Sequence, residues 1–173
     1  HLAALGGEAD SEGRSAVVVV GAGFTGIEVA AEMPAKLEKA GLSGNRRVIL
    51  VDPNPVVGAT FGEGARPVVR EALAALGVET RLNATVTSVA ANSVPLSSGE
   101  IIPARTVVWC AGMRASAVAQ TMPVERDRLG RVNVDQFMRV AGMTDIFAAG
   151  DAACCVVDGV HPLSLIPISE PTR

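Results

Sequence analysis

Three glycines at a fixed spacing are the first residues of this 173-residue chain whose pattern indicates chemistry. Gly21, Gly23 and Gly26 stand directly after the apolar run Ala16–Val20 and directly before a segment rich in helix formers. In this context the first glycine permits a sharp turn, the second lets a diphosphate approach the backbone, and the third lets the helix lie close to the strand. The free N–H groups of the first helical turn would then favour an anion. The binding turn predicted here comprises Gly21, Ala22, Gly23, Phe24, Thr25 and Gly26.

A carboxylate is expected to complete this site at the end of the next strand. Asp52 closes the apolar segment 47–52, where the adenine ribose of a bound dinucleotide would lie. Its oxygens would accept hydrogen bonds from ribose hydroxyls, whereas a 2′-phosphate would meet a like charge. Residues 53–55 carry no positive charge to offset that repulsion. The pattern predicts NADH in preference to NADPH; the alternative is a strand-end carboxylate that faces water.

The elements around these residues alternate in the order of an α/β fold. Apolar runs without polar alternation indicate strands covered on both faces, and the alternation of strand and helix predicts a Rossmann-like, doubly wound parallel sheet. Pro34 is expected to kink or shorten the first helix. Trp109 and Cys110 are expected to pack in the sheet. Predicted strands cover 16–20, 47–52, 78–82, 106–110, 132–134 and 146–149, predicted helices cover 27–39 and 65–76, and a small antiparallel meander covers 85–89, 93–96 and 100–102.

Composition excludes several classes of protein. With 49% hydrophobic and 19% charged residues the chain is too apolar to be disordered, and a net charge of −3 does not favour a nucleic-acid partner. No apolar run approaches the roughly 20 residues that a membrane span needs. The three cysteines form no Cys-x-x-Cys pair or Cys/His cluster, so no metal site is expected and a reducing, cytoplasmic setting is favoured.

Three segments in order carry a family resemblance. They are residues 20–28 (VGAGFTGIE), 106–116 (TVVWCAGMRAS) and 145–153 (DIFAAGDAA). Together they resemble the FAD-dependent pyridine nucleotide-disulfide oxidoreductase superfamily, and the second segment is most similar to type II NADH dehydrogenases. The resemblance implies FAD and NADH as cofactors. It also implies that Gly150 and Asp151 contact FAD, that Glu28 positions the nicotinamide, and that Ala111 and Gly112 form a bend beside NADH.

Each of these roles has a structural alternative. Asp151 could cap a helix, Glu28 could be an ordinary first-turn acid that complements the helix dipole, and residues 111–112 could form a simple tight turn. The resemblance also implies a domain order: a linker from an FAD-binding segment (1–13), the NADH-binding domain (14–113) and the returning part of the FAD-binding domain (114–162). Residues 163–173 resemble, except at Pro167, a translated sequencing adaptor and are interpreted as an artefact; the alternative is a genuine loop.

The expected activity follows from the resemblance. It is hydride transfer from NADH to FAD and on to quinone, without proton pumping, in a respiratory flavoprotein of which this chain is an inactive fragment. The resemblance allows a homodimer and a peripheral position at the inner face of a membrane. One alternative is another NADH-dependent FAD reductase, acting on a disulfide, an oxygen species, a ferredoxin or a rubredoxin. The other is a non-catalytic NAD-binding sensor module, which has no use for an FAD contact.

Overall fold

The computed structural model describes residues 1–157 and 161–163, and the chain divides into two compact units at Gly112 and Met113. The domain boundaries expected from the sequence stay predictions, and each unit is described by itself. The tail interpreted as an artefact comprises residues 163–173, and those from 164 onward lie outside the described residues. In chain order the first unit contains α1 (Leu2–Gly6), β1 (Ala16–Val20), α2 (Phe24–Lys39), β2 (Arg47–Val51), α3 (Ala65–Ala75), β3 (Val78–Arg81), β4 (Ser93–Pro95), β5 (Ile101–Pro103) and β6 (Thr106–Trp109).

The first unit is built on a four-stranded parallel sheet in the order β3-β2-β1-β6. Val17 and Val19 of β1 pack on one face with Leu37 of α2, and α3 contributes to the same core. Val18, on the other face, packs against the antiparallel β4–β5 hairpin. Because both faces are covered, all five residues of β1 are buried. The α/β fold with a Rossmann-like parallel sheet is confirmed, and the hairpin supplies the layer opposite the helices.

Two helices differ from expectation. α2 begins at Phe24, three residues before the predicted start, and runs through Pro34 to Lys39 without ending early. Ala30 and Leu37 are fully buried on either side of the proline. Their burial offsets the cost of about 3 kcal/mol that a proline imposes inside a helix. The short helix α1 was not predicted, because residues 1–13 were interpreted as a linker; it is held by Leu5, which packs into the sheet–helix core.

Two local predictions on the hairpin side are wrong. Residues 85–89 form no strand, and only one isolated bridge, between Val86 and Leu96, extends the β4–β5 pair. Trp109 does not pack in the sheet: it is 59% exposed, and its indole N–H donates to the carbonyl of Ala111. It lies at the last residue of β6, at the edge of the sheet, where nothing in the described chain covers it.

The second unit has a smaller apolar core. Its elements are α4 (Ala117–Thr121), β7 (Val132–Val134), a 3₁₀ helix (Gly150–Ala152), β8 (Ala153–Val157) and β9 (His161–Leu163). β8 pairs in parallel with β7 and antiparallel with β9. The strand predicted at 146–149 is absent. Ile146 and Phe147 are 41% and 60% exposed, and Phe147 makes only an isolated bridge to Arg139, so no buried face holds a strand there. No helix in the described part of the chain is long and apolar enough to cross a membrane.

Candidate nucleotide-binding site

Two of the three motif glycines are required by the fold itself. Gly21 has a φ of +102°, and a Cβ atom there would come within 3.1 Å of the Cα and Cβ atoms of Ala111. A Cβ atom at Gly26 would collide with the carbonyl oxygen of Gly21, because the first turn of α2 lies directly on the turn that leaves β1. A side chain at either position would therefore displace the backbone whether or not a ligand binds.

Gly23 is different, because nothing in the protein requires a glycine there. Its φ of −81° and ψ of −173° suit any residue, and no atom lies within 4 Å of the place a Cβ would take. Gly23 is the N-cap of α2 and offers no side-chain cap to the helix. From Gly23 onward, the first backbone N–H that finds an acceptor within the described chain belongs to Ile27, which donates to the carbonyl of Gly23. Exposed amide donors and open space thus meet at Gly23, which is what an anionic ligand needs.

The Asp52 carboxylate points inward. The residue is only 7% exposed, so the alternative of a carboxylate that faces water is wrong. Its Oδ2 accepts a hydrogen bond of 2.6 Å from the backbone N–H of Ala22, in the middle of the glycine motif. Its Oδ1 accepts two hydrogen bonds from Asn54, of 2.8 Å from the backbone N–H and 2.7 Å from the side-chain Nδ2. Asp52 therefore ties the end of β2 to the glycine turn.

This arrangement gives Asp52 a structural role that the sequence did not indicate. A carboxylate offers about four acceptor directions, and three are filled by N–H donors. The predicted contact between Asp52 and a ribose stays a prediction, with one acceptor direction left for it. Only the local contacts with Asn54 had a signal in the sequence, since an Asp-x-Asn sequence at the end of a strand favours local side-chain hydrogen bonds.

The loop between β2 and α3 folds onto the glycine turn, which the sequence analysis missed. The backbone N–H of Gly58 donates to the carbonyl of Ala22 at 3.0 Å. The ring of Phe61 packs against the ring of Phe24 with centroids 4.2 Å apart, at an interplanar angle of 44°. Phe24 is nevertheless 60% exposed, so an apolar surface remains beside the first turn of α2. Gly58, with a φ of +63°, makes this fold-back sterically accessible.

The remaining predicted residues of this unit border the same turn. Glu28 is exposed on α2 and makes no hydrogen bond or ion pair with the described residues. Ala111 and Gly112 follow β6, and Gly112 has a φ of +80°, as a tight turn requires. Because Ala111 also packs against Gly21, the bend supports the glycine turn as well as reversing the chain. Burial raises the pKa of the neighbouring Cys110 thiol, which disfavours a reactive thiolate at this position.

In the second unit, Gly150 and Asp151 form the 3₁₀ helix that precedes β8. Gly150 has a φ of +65°. Asp151 is exposed, and the N-cap of the 3₁₀ helix is Ala149 without a side-chain cap, so the alternative in which Asp151 caps a helix is wrong. No longer helix follows, because the chain continues directly into β8. An exposed carboxylate without a partner in the described chain is free to accept ligand hydroxyls.

A partly buried ion pair joins Asp127 and Arg131 in the second unit. Asp127 accepts a 2.7 Å hydrogen bond from Nε of Arg131 and two more from the backbone N–H groups of Leu129 and Arg131. Burial raises the pKa of Asp127, but the hydrogen bonds from Arg131 and the backbone outweigh it, so the pKa lies below its ordinary value. The Arg131 guanidinium also approaches Sγ of the buried Cys154 at 3.8 Å.

Comparison with protein-family models identifies residues 5–167 as a match to the pyridine nucleotide-disulphide oxidoreductase model. The chain belongs to this family. The resemblance stated from the three segments is thereby confirmed, and membership of an oxidoreductase family that uses pyridine nucleotides agrees with the geometry at Gly23. The family match and the relatives below imply the predicted cofactors, FAD and NADH.

Among curated relatives, this family member is 49% identical over 164 residues to an NADH dehydrogenase-like protein of Mycobacterium tuberculosis, covering 93% of this chain and 41% of the relative. It is 37% identical to the type II NADH:quinone oxidoreductase Ndh of the same species, covering 82% of this chain and 34% of that protein. The chain thus spans about two fifths or less of the relatives' length.

Solved structures agree on the fold. A ferredoxin reductase from Rhodopseudomonas palustris matches 82% of this chain with a TM-score of 0.66 at 26% identity, over 34% of its own length. NDH2 from Plasmodium falciparum, solved in complex with NADH, matches 82% of the chain with a TM-score of 0.65 at 23% identity, over 32% of its own length. The likeness to NDH2 shows that this chain shares its Rossmann-like fold.

Proposed function

We propose that the first unit binds NADH in an FAD-dependent NADH dehydrogenase. The observation that carries this proposal is the contrast among the motif glycines: Gly21 and Gly26 are required by packing, whereas Gly23 borders open space and unpaired amides. A ligand that brings a diphosphate to the backbone accounts for a glycine that the protein itself does not need.

Different residues of the site hold different parts of the nucleotide. The amides of the turn from Gly23 into α2 receive the diphosphate, and Asp52 fixes that turn through Ala22. Glu28, two residues beyond the motif, orients the nicotinamide. Ala111 and Gly112 form the bend beside it. When both cofactors are bound, the pair supplies hydride transfer from NADH to the flavin, for which the protein provides alignment of the two rings.

NADH is preferred over NADPH because the carboxylate of Asp52 lies at the site. Both oxygens of the Asp52 carboxylate accept hydrogen bonds from N–H donors, and the residue stands at the strand end where the adenine ribose would lie. A 2′-phosphate at about 4 Å would be repelled by roughly 4 kcal/mol per unit charge at an effective dielectric constant near 20. The cations nearest in sequence, Arg46 and Arg47, flank the opposite end of β2, where Arg47 is paired with Glu79.

The second unit is proposed to be the returning part of the FAD-binding domain. Its exposed carboxylate, Asp151, which has no partner among the residues that the structure describes, would accept hydrogen bonds from FAD hydroxyls beside the left-handed Gly150. This feature disfavours a non-catalytic NAD-binding sensor. We expect the 173-residue chain itself to bind NADH weakly, to hold no FAD and to be inactive, because its relatives are more than twice as long.

Quinone is the acceptor that we propose for the whole enzyme. The relatives named type II NADH:quinone oxidoreductase and demethylphylloquinone reductase, the latter from Synechocystis at 28% identity, support this choice. A cytoplasmic enzyme lying peripherally on the membrane, as a homodimer, would fit such a substrate. The likeness to a ferredoxin reductase favours a second candidate, an NADH-dependent reductase of an iron–sulfur protein. NADH oxidation by the whole protein with a soluble quinone or with ferredoxin separates the two.

The nucleotide-binding proposal can be tested with the chain as it stands. Trp109 is the only tryptophan and the sequence has no tyrosine, so emission excited at 295 nm comes from one place, the end of β6 beside the glycine turn. NADH absorbs that emission, and a saturable quench measures its Kd. Gly23→Ala is the test variant. Gly44→Ala is its matched control, because Gly44 also has open space around it but lies at the opposite end of β2.

We expect Gly23→Ala to fold as the parent does and to lose at least tenfold in NADH affinity, because the new methyl group keeps the diphosphate from the backbone. Gly44→Ala should retain the parent Kd. Equal affinity in both variants, or no saturable quench by NADH in the parent chain, would contradict the proposal.

A further inference from the structure

The environment of Asp52 raises the question of which atom meets the nucleotide ribose. Asp52 is 7% exposed and three N–H donors already occupy its oxygens. Asn54, two residues on, is exposed at the same strand end. The side chain nearest to solvent at this point is thus the amide of Asn54, with the carboxylate of Asp52 behind it.

The orientation of the Asn54 amide follows from the chemistry of its partner. The contact of 2.7 Å joins its Nδ2 to Oδ1 of Asp52. An ionised carboxylate only accepts hydrogen bonds, so the amide nitrogen must face it and the amide oxygen must face away. The backbone of Asn54 is held as well, because its N–H donates to Asp52 and its carbonyl accepts from Asn83. Asn54 therefore presents a fixed acceptor oxygen.

The space beside Asn54 suits the adenosine half of a dinucleotide. A solvent-connected cavity of about 400 Å³ is lined by Pro55, which follows Asn54 directly, and by Leu82, which precedes the Asn83 that donates to it. Its walls combine apolar side chains with the charged Glu63, Arg66 and Arg70. Asn54 does not itself line this cavity, but it adjoins Pro55, so an adenine base in the cavity would have its ribose toward the Asn54 end.

We propose that Oδ1 of Asn54, held by Asp52, accepts the hydrogen bond from an adenine-ribose hydroxyl of NADH. Asp52 acts as a positioning residue for Asn54 and for the glycine turn. A 2′-phosphate would bring only acceptor oxygens against the acceptor oxygen of Asn54, whereas the cations Arg66 and Arg70 stand in the wall of the same cavity. This inference rests on the proposed NADH binding and refines its ribose contact.

The test is a double-mutant cycle between protein and ligand, in which one side chain is truncated in the protein and one hydroxyl is removed from the ligand. The 173-residue chain and its variant Asn54→Ala are titrated, by quenching of Trp109, with NADH and with its adenosine 2′-deoxy and 3′-deoxy forms. Asn45→Ala is the matched control, because Asn45 is an exposed asparagine at the opposite end of β2. Asp52→Asn is included to examine the alternative contact, with the urea midpoint of each protein measured in parallel.

We expect Asn54→Ala to weaken NADH binding about three- to tenfold, the effect of one neutral hydrogen bond, with little change in the urea midpoint. With one of the two deoxy ligands, Asn54→Ala and the parent chain should bind equally well, because the hydroxyl whose hydrogen bond Asn54 accepts is absent from that ligand. Asn45→Ala should match the parent for all ligands.

Two results overturn the inference without touching NADH binding itself. One is an equal loss in Asn54→Ala with NADH and with both deoxy forms. The other is that removing a ribose hydroxyl from the ligand no longer weakens binding to Asp52→Asn but still weakens binding to Asn54→Ala, which would assign the ribose contact to Asp52. Failure of the proposed function would look different, because the parent chain would then bind none of the three ligands.

Discussion

Replacing Asp52 by asparagine isolates the contact that joins β2 to the glycine turn. The side chain keeps its size but gains an NH₂ group, while all three of its partners are N–H donors. If the new NH₂ faces Ala22, the buried amide of Ala22 loses its acceptor. If it faces Asn54 instead, two donors lose theirs. Neither orientation satisfies the site, so the substitution must destabilise the first unit.

The magnitude follows from the smaller of these losses. One buried amide without a partner costs about 1–3 kcal/mol, and the two remaining hydrogen bonds each weaken by about 1 kcal/mol when their acceptor loses its charge. We therefore expect the free energy of unfolding of the first unit to fall by about 3–5 kcal/mol in Asp52→Asn.

Urea denaturation followed by Trp109 fluorescence measures this quantity, because Trp109 belongs to the first unit. Asp10→Asn serves as the control. Asp10 is 80% exposed and pairs with Arg14 at 3.3 Å, so its loss should cost no more than about 1 kcal/mol. A decrease in Asp52→Asn no larger than that in Asp10→Asn would show that the inward contact does not hold the turn.

Three further predictions concern other contacts. Gly26→Ala should fail to fold or lose about 3 kcal/mol or more by urea denaturation, because its Cβ would meet the carbonyl of Gly21; a normal midpoint would refute this close approach. The hydrogen bond from Arg47 holds the pKa of Glu79 below its ordinary value of 4.5, so its stabilisation is present above pH 4.5 and is lost as the pH falls through the lowered value. The parent should therefore lose more of its urea midpoint between pH 6 and pH 3 than Glu79→Gln, and parallel losses would contradict the assignment. Asp127→Asn should speed labelling of Cys154 by a thiol reagent under native conditions about tenfold or more, since it removes the partner of the buried Arg131. Asp145→Asn is the control and should be labelled at the parent rate. A parent-like rate in Asp127→Asn as well would argue against that role of Asp127.

Features encoded locally could be predicted from the sequence. The strand, glycine turn and helix at residues 16–39 depend on an apolar run and on glycines whose backbone needs are specific, and the structure has them in that order. β7 was predicted with its observed bounds, because Val132 and Val134 alternate with a polar residue between turn formers. In these segments neighbouring residues carry most of the information that determines the conformation.

Features that depend on distant residues could not be predicted. The direction of the Asp52 side chain is decided by the amide of Ala22, thirty residues earlier, which no local pattern reveals. The apolar segment 146–149 has strand propensity but finds no strand to pair with, so it forms only a bridge. The contact between Phe24 and Phe61 likewise requires the long loop to fold back, and neither residue signals it.

The unequal demands on the three glycines have a consequence for evolution under relaxed selection. A descendant that no longer used a nucleotide would still be constrained to keep Gly21 and Gly26, because its own backbone crowds them. Only the middle position would drift, since any small residue fits there at no conformational cost. In surveys of uncharacterised relatives, the identity of residue 23 should therefore separate proteins that still bind a dinucleotide from those that only inherited the architecture.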